Sequence, residues 1–143
     1  MKHLLYVIII GLLASCGGKQ ADVDDAEWKE MDDFHAIMAD VYHPLKDSNN
    51  LEPIKKNSGE LANAARHWAQ AKLPSKVNND ETKERLASLE DGCEHLNKMV
   101  KDNATDEEIA SKLTSLHDTF HSIMESWYQA GKEEGSEEHH DHH

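Results

Sequence analysis

TDEEIASKLTSLHDTFHSIMESW, residues 105–127, carries a helix start, a helix period and a candidate pair of metal ligands in one stretch. Thr105 and Glu108 form a capping box by type and spacing: the hydroxyl takes an orphan amide of the first turn, and the carboxylate reaches back to the Thr105 amide. Behind them Ile109, Leu113, Leu116, Phe120, Ile123 and Trp127 recur at alternating four- and three-residue steps, the period of one buried helix face. A helix that buries one stripe needs partners, so the search moves outward along the chain.

Three earlier segments repeat the pattern, and none shows the sustained alternation of a strand. The first spans about Asp24 to Tyr42, with Asp24 and Glu27 as a cap-like pair and a seam of Met31, Phe34, Met38 and Val41; His43-Pro44 is expected to end it, because proline disfavours a helical residue before it. The second starts after Asn50, tolerates Pro53 in its first turn, carries Leu51, Ile54, Leu61, Ala65 and Trp68, and stops near Pro74. Residues 75–80 read as a loop. A third helix over about 81–101 buries Leu86, Leu89, Cys93, Leu96 and Val100. Short connections between four amphipathic helices predict an all-α fold, an antiparallel up-down-up-down four-helix bundle over residues 24–130. Residues 131–143 are Gly, Glu, Ser, Asp and His with Lys132, a composition expected to be disordered.

One pentapeptide pattern appears in both the first and last helices, as Phe34-His35-Ala36-Ile37-Met38 and Phe120-His121-Ser122-Ile123-Met124. Residues three apart share one side of a helix turn, so each copy pairs a His with a Met. The first and last helices of the bundle are antiparallel neighbours. If His35 is level with His121, residue 39 is level with His117, one turn away on the His121 stripe. His35, Met38, His117, His121 and Met124, with His43 as a weaker member, are therefore candidate ligands for copper, or for zinc with a carboxylate such as Asp118. The alternative is that Phe, Ile and Met fill the core and the histidines merely flank it. His139, His140, His142 and His143 form a second cluster in the tail, suited to weak metal capture that is lost when imidazoles protonate.

The first 15 residues have the layout of a secretion signal: Lys2, then the apolar run Leu4 to Leu13, too short for an ordinary transmembrane helix. The tetrapeptide Leu13-Ala14-Ser15-Cys16 that follows resembles the lipobox of bacterial lipoproteins. That resemblance implies a cleaved signal peptide and several acyl chains on Cys16, enough at about 0.8 kcal/mol per buried methylene for stable anchoring. Residues 16–23 would then be the lipidated residue and its tether. Gly17 does not match the Asp of the inner-membrane retention rule, so the expected location is the outer membrane, with the domain in the periplasm.

Removing residues 1–15, which carry Lys2 and no carboxylate, takes the net charge from −13 to −14 and leaves a length suited to one domain. Such an excess of carboxylates excludes a nucleic-acid binder, which must neutralise phosphates, and suits cations or basic partners. With Cys16 lipidated, Cys93 has no partner for an intramolecular disulfide, and its place on a core seam makes it a small buried residue.

The segment Leu113-Thr114-Ser115-Leu116-His117-Asp118-Thr119-Phe120 resembles the last-helix motif of the cytochrome c′ family, Cys-x-x-Cys-His-x-x-aromatic, with leucine at both cysteine positions. The chain is also similar in its expected architecture to the b562-type cytochromes, bundles that hold haem b without covalent links through a Met on helix 1 and a His on helix 4. On that resemblance His117 takes the axial His position and Met38, or less well Met31, the axial Met position. The missing cysteines exclude thioether attachment.

No Gly-rich phosphate loop, Ser/His/Asp order or paired zinc-cysteine motif is present, and an enzyme is not expected. The functional readings are three. The first is a membrane-anchored protein that buffers copper or zinc or passes it to a transport or redox partner. The others are a b-type haem protein for electron transfer and a non-metal interaction lipoprotein.

Overall fold

The computed structural model describes residues 27–137, and the structural statements below concern these residues. Four helices follow one another: α1 (Lys29–Ser48), α2 (Glu52–Gln70), α3 (Asp80–Lys101) and α4 (Asp106–Glu137), with one 3₁₀ turn at Ser75–Val77. They pack in order around a single core, α1 on α2, α2 on α3 and α3 on α4, and α4 closes the ring against α1. The backbones of α1 and α4 approach each other least closely of the four neighbouring pairs. Among the described residues no helix is long and apolar enough to cross a membrane.

The α4 start forms as its sequence dictates. Glu108 accepts the Thr105 amide at 2.9 Å and the Thr105 hydroxyl at 2.8 Å, while the Glu108 amide reaches Thr105 Oγ1 at 3.3 Å. These bonds hold the Glu108 carboxyl below its ordinary pKa. At the α3 start the Asn79 side chain accepts the Thr82 amide at 2.8 Å. Substitutions at such caps cost roughly 1 kcal/mol, so both starts are locally defined.

Three boundaries differ from those expected. Helix α1 runs through Pro44 to Ser48, because the seam Met31, Phe34, Met38, Val41 continues to buried Leu45 at the next four-residue step. Its end is set instead by Asn49 in the left-handed region, φ 53°, whose amide reaches the Leu45 carbonyl at 2.8 Å. Among the described residues α1 starts at Lys29, after Trp28, which gives no side-chain cap; the expected cap residue Asp24 lies outside the described residues. Trp28 is 1 % exposed and packs on Trp68 and Trp127 with ring centroids 5.2 and 5.5 Å apart, so burial of one indole fixes the chain there. Finally, α4 continues past residue 130 to Glu137.

Within the expected loop 75–80, Val77 is buried and the Lys76 ammonium stands 3.2 Å from the Trp127 ring centroid, so this turn caps the tryptophan end of the core. The core continues from Trp68 to Phe34 at 5.3 Å and from Phe34 to Phe120 at 5.6 Å. Every buried apolar side chain among the described residues falls between Trp28 and Trp127, so this segment encloses its own core. Helices α3 and α4 meet closely at Gly92, where a Cβ would stand 2.4 Å from Leu116 Cδ2.

Cys93 is fully buried, as its seam position requires. Burial pushes its thiol up to about 12, with Lys112 opposing weakly. The native protein is therefore expected to resist thiol-disulfide reagents at pH 8 and to react at once when unfolded by denaturant; rapid labelling of the folded chain at Cys93 would contradict the packing.

Candidate functional site

His117 and His121 lie one turn apart on α4, and their Nε2 atoms are 3.1 Å from each other. The separation follows from helix geometry once both side chains lean to the same side. It also matches a chelate: with bonds of about 2.0–2.1 Å, two nitrogens on one metal lie about 3.3 Å apart at the tetrahedral angle and about 2.9 Å apart at a right angle. In the metal-free protein the same distance serves one N–H···N hydrogen bond, with either imidazole as donor.

The two rings are held differently. His117 is largely covered, with 20 % of its side chain exposed, and stacks on Tyr42 of α1 at 3.8 Å with an interplanar angle of 17°. His121 is exposed and touches the edge of Phe120 at 5.5 Å. Burial, then the neighbouring His121, lowers the His117 pKa; Asp118 opposes and Lys46 reinforces the shift. Neutral imidazole is the form a metal requires, so this environment favours the ligand state.

His117 Nδ1 is buried and lacks a hydrogen-bond partner within the protein. The Asp118 carboxylate stands 3.9 Å from it, beyond hydrogen-bond range in this arrangement. A metal on Nε2 obliges Nδ1 to carry the proton, and a carboxylate that accepts it fixes the tautomer and strengthens the ligand. Asp118 is the carboxylate placed to become that acceptor if its side chain turns toward Nδ1.

The other sequence candidates are distributed around this pair. His35 lies across the seam as the antiparallel register requires, but its ring rests on Phe120 at 5.0 Å. Met38 is fully enclosed in the core, Met124 is half-buried one turn beyond His121, and His43 is exposed near the end of α1. Among the described residues no three His, Cys, Asp or Glu side chains converge as a metal site. Cys16 and the tail residues His139, His140, His142 and His143 lie outside the described residues.

Haem fits these side chains poorly. Met38 sits at 0 % exposure in the same buried cluster as Phe34 and Phe120, and the His117 ring is already stacked on Tyr42 and turned toward His121. An axial Met38–His117 pair would require that packing to open.

Tyr42 is the residue that sequence reasoning overlooked. It follows His35 by seven residues, two helical turns, and so shares its face; the stripe His35, Tyr42 opposite His117, Phe120, His121 was present in the spacing. Comparison of the chain with known protein families, with curated proteins and with solved structures finds no match.

Proposed function

We propose that this protein is a membrane-anchored, non-enzymatic binder of a transition-metal ion, copper or zinc, which it buffers or hands to a partner. The observation that carries this reading is the convergence of His117 and His121 Nε2 at 3.1 Å, a chelating distance held between a stacked tyrosine and a core phenylalanine. The acidic surface supports it, since a net charge of −13 draws cations toward the chain. The lipobox-like Leu13-Ala14-Ser15-Cys16 supports anchorage by lipid, and an outer-membrane, periplasm-facing position agrees with Gly17. A pair of ligands of which His121 is exposed suits exchange with a partner better than permanent storage.

Thermal unfolding tests it. With the four tail histidines replaced by alanine, zinc or copper at about 100 times its dissociation constant is expected to stabilise the fold by about 2.7 kcal/mol, with reversal by chelator. An unchanged melting temperature at saturating metal would leave the non-metal interaction reading.

A further inference from the structure

The histidine pair offers a metal two ligands, and zinc in a closed site takes four. Among the described residues nothing supplies the other two. The face that carries the pair has a further feature. His117, His121, Met124 and Tyr128 follow at steps of four, three and four, the spacing of a helix-packing seam, rotated by one residue from the core stripe of Leu116, Phe120, Ile123 and Trp127. On that second stripe Met124 is half-buried, while Tyr128, at 56 %, is the exposed large apolar side chain among the described residues. An exposed tyrosine two turns from a metal-ready pair belongs to the kind of residue that anchors protein contacts.

We propose that this face of α4 binds a second copy of the same chain, and that one zinc ion held by His117 and His121 of both copies ties them together. The inference rests on the reading of His117 and His121 as metal ligands. Two-fold symmetry makes it economical, because an isologous contact presents the same patch from each side and so duplicates the two ligands to four. Tyr128 would pack against the partner two turns, about 10 Å, along the helix from His121. Charge favours a cation at the contact: two chains, each of net charge −14 once residues 1–15 are removed, repel one another, and a divalent ion on the axis offsets part of that repulsion where the copies are nearest. Dimerisation is therefore controlled by zinc. For chains confined to a membrane surface, raised local concentration favours the pairing further.

Sedimentation combined with zinc titration tests the proposal, using a chain from residue 17 onward with the four tail histidines replaced by alanine; it retains every buried apolar side chain found among the described residues. The expected result is a doubled mass at one zinc per two chains, reversed by chelator. His121→Ala should abolish the dimer, and Tyr128→Glu should weaken dimerisation by about tenfold or more while the histidines still take up metal. Zinc bound one per chain with unchanged mass would overturn the dimer and leave the metal reading standing. A dimer that persists without zinc or in His121→Ala, or open-ended polymers, would also overturn it. Absence of zinc binding to the pair would remove both.

Discussion

Replacing either His117 or His121 with alanine is expected to lower affinity for zinc or copper by more than about 100-fold, measured on a chain without the tail histidines. Loss of a residue that only supports a ligand already costs roughly 10- to 100-fold, and these substitutions remove a ligand itself. The remaining imidazole then lacks its chelating partner 3.1 Å away. His35→Ala should leave affinity nearly unchanged, because that ring rests on Phe120. Tyr42 separates positioning from ligation: Tyr42→Phe keeps the ring stacked on His117 and should bind normally, whereas Tyr42→Ala frees His117 and should weaken binding by about tenfold. Equal loss in both Tyr42 variants would make the phenol oxygen a ligand instead. Acid is expected to release the metal, since protons compete for the same nitrogens. The sign for stability agrees: the folded-state pKa of His117 lies below its ordinary value of 6.5, so the stability linked to it is complete above 6.5 and is lost as the pH falls.

Trp68→Ala is expected to be the most damaging single core substitution, at about 3–5 kcal/mol. Trp68 is 0 % exposed and joins Trp28, Phe34 and Phe120, at centroid distances of 5.2, 5.3 and 6.1 Å, so its loss opens a cavity where three helices meet. For a domain of this size the melting temperature should fall on the order of 15–25 °C. Trp68→Phe should cost far less. Its indole N–H is buried without a hydrogen-bond partner within the protein, and phenylalanine removes that burden of about 1–3 kcal/mol while keeping a ring in the cluster. A similar melting temperature for Trp68→Ala and the unaltered chain would show that the tryptophan end is not the core.

The helices were legible because their signals are local. The capping box at Thr105 and the stripes through Trp68, Leu96 and Trp127 need no knowledge of the rest of the chain and reappear in the bundle, although Val100, expected to be buried at the end of the third stripe, is only half-buried. The boundaries that moved were decided by tertiary contact. Burial of Leu45 carries α1 past Pro44, and the packing of Trp28 on Trp68 and Trp127 starts the helix later than the acidic residues suggest. The candidate site divides in the same way. His117 and His121 were predictable from i, i+4 spacing, and the level of His35 from antiparallel register. Which α1 ring meets which α4 ring was not, because only packing places His35 on Phe120 and Tyr42 on His117. Met38 carried two readings in the sequence, a place on the core seam and a place with His35 in the repeat, and the seam reading is the one its full burial matches.

The most direct measurement of the central claim is the nitrogen NMR spectrum of the imidazoles during zinc addition to the chain without tail histidines. The account predicts that the Nε2 signals of His117 and His121 move together to metal-bound positions, that Nδ1 of His117 becomes the protonated nitrogen, and that His35, His43, His67 and His95 stay in place. Unmoved His117 and His121 signals at saturating zinc, or shifts spread evenly over all the histidines, would contradict it.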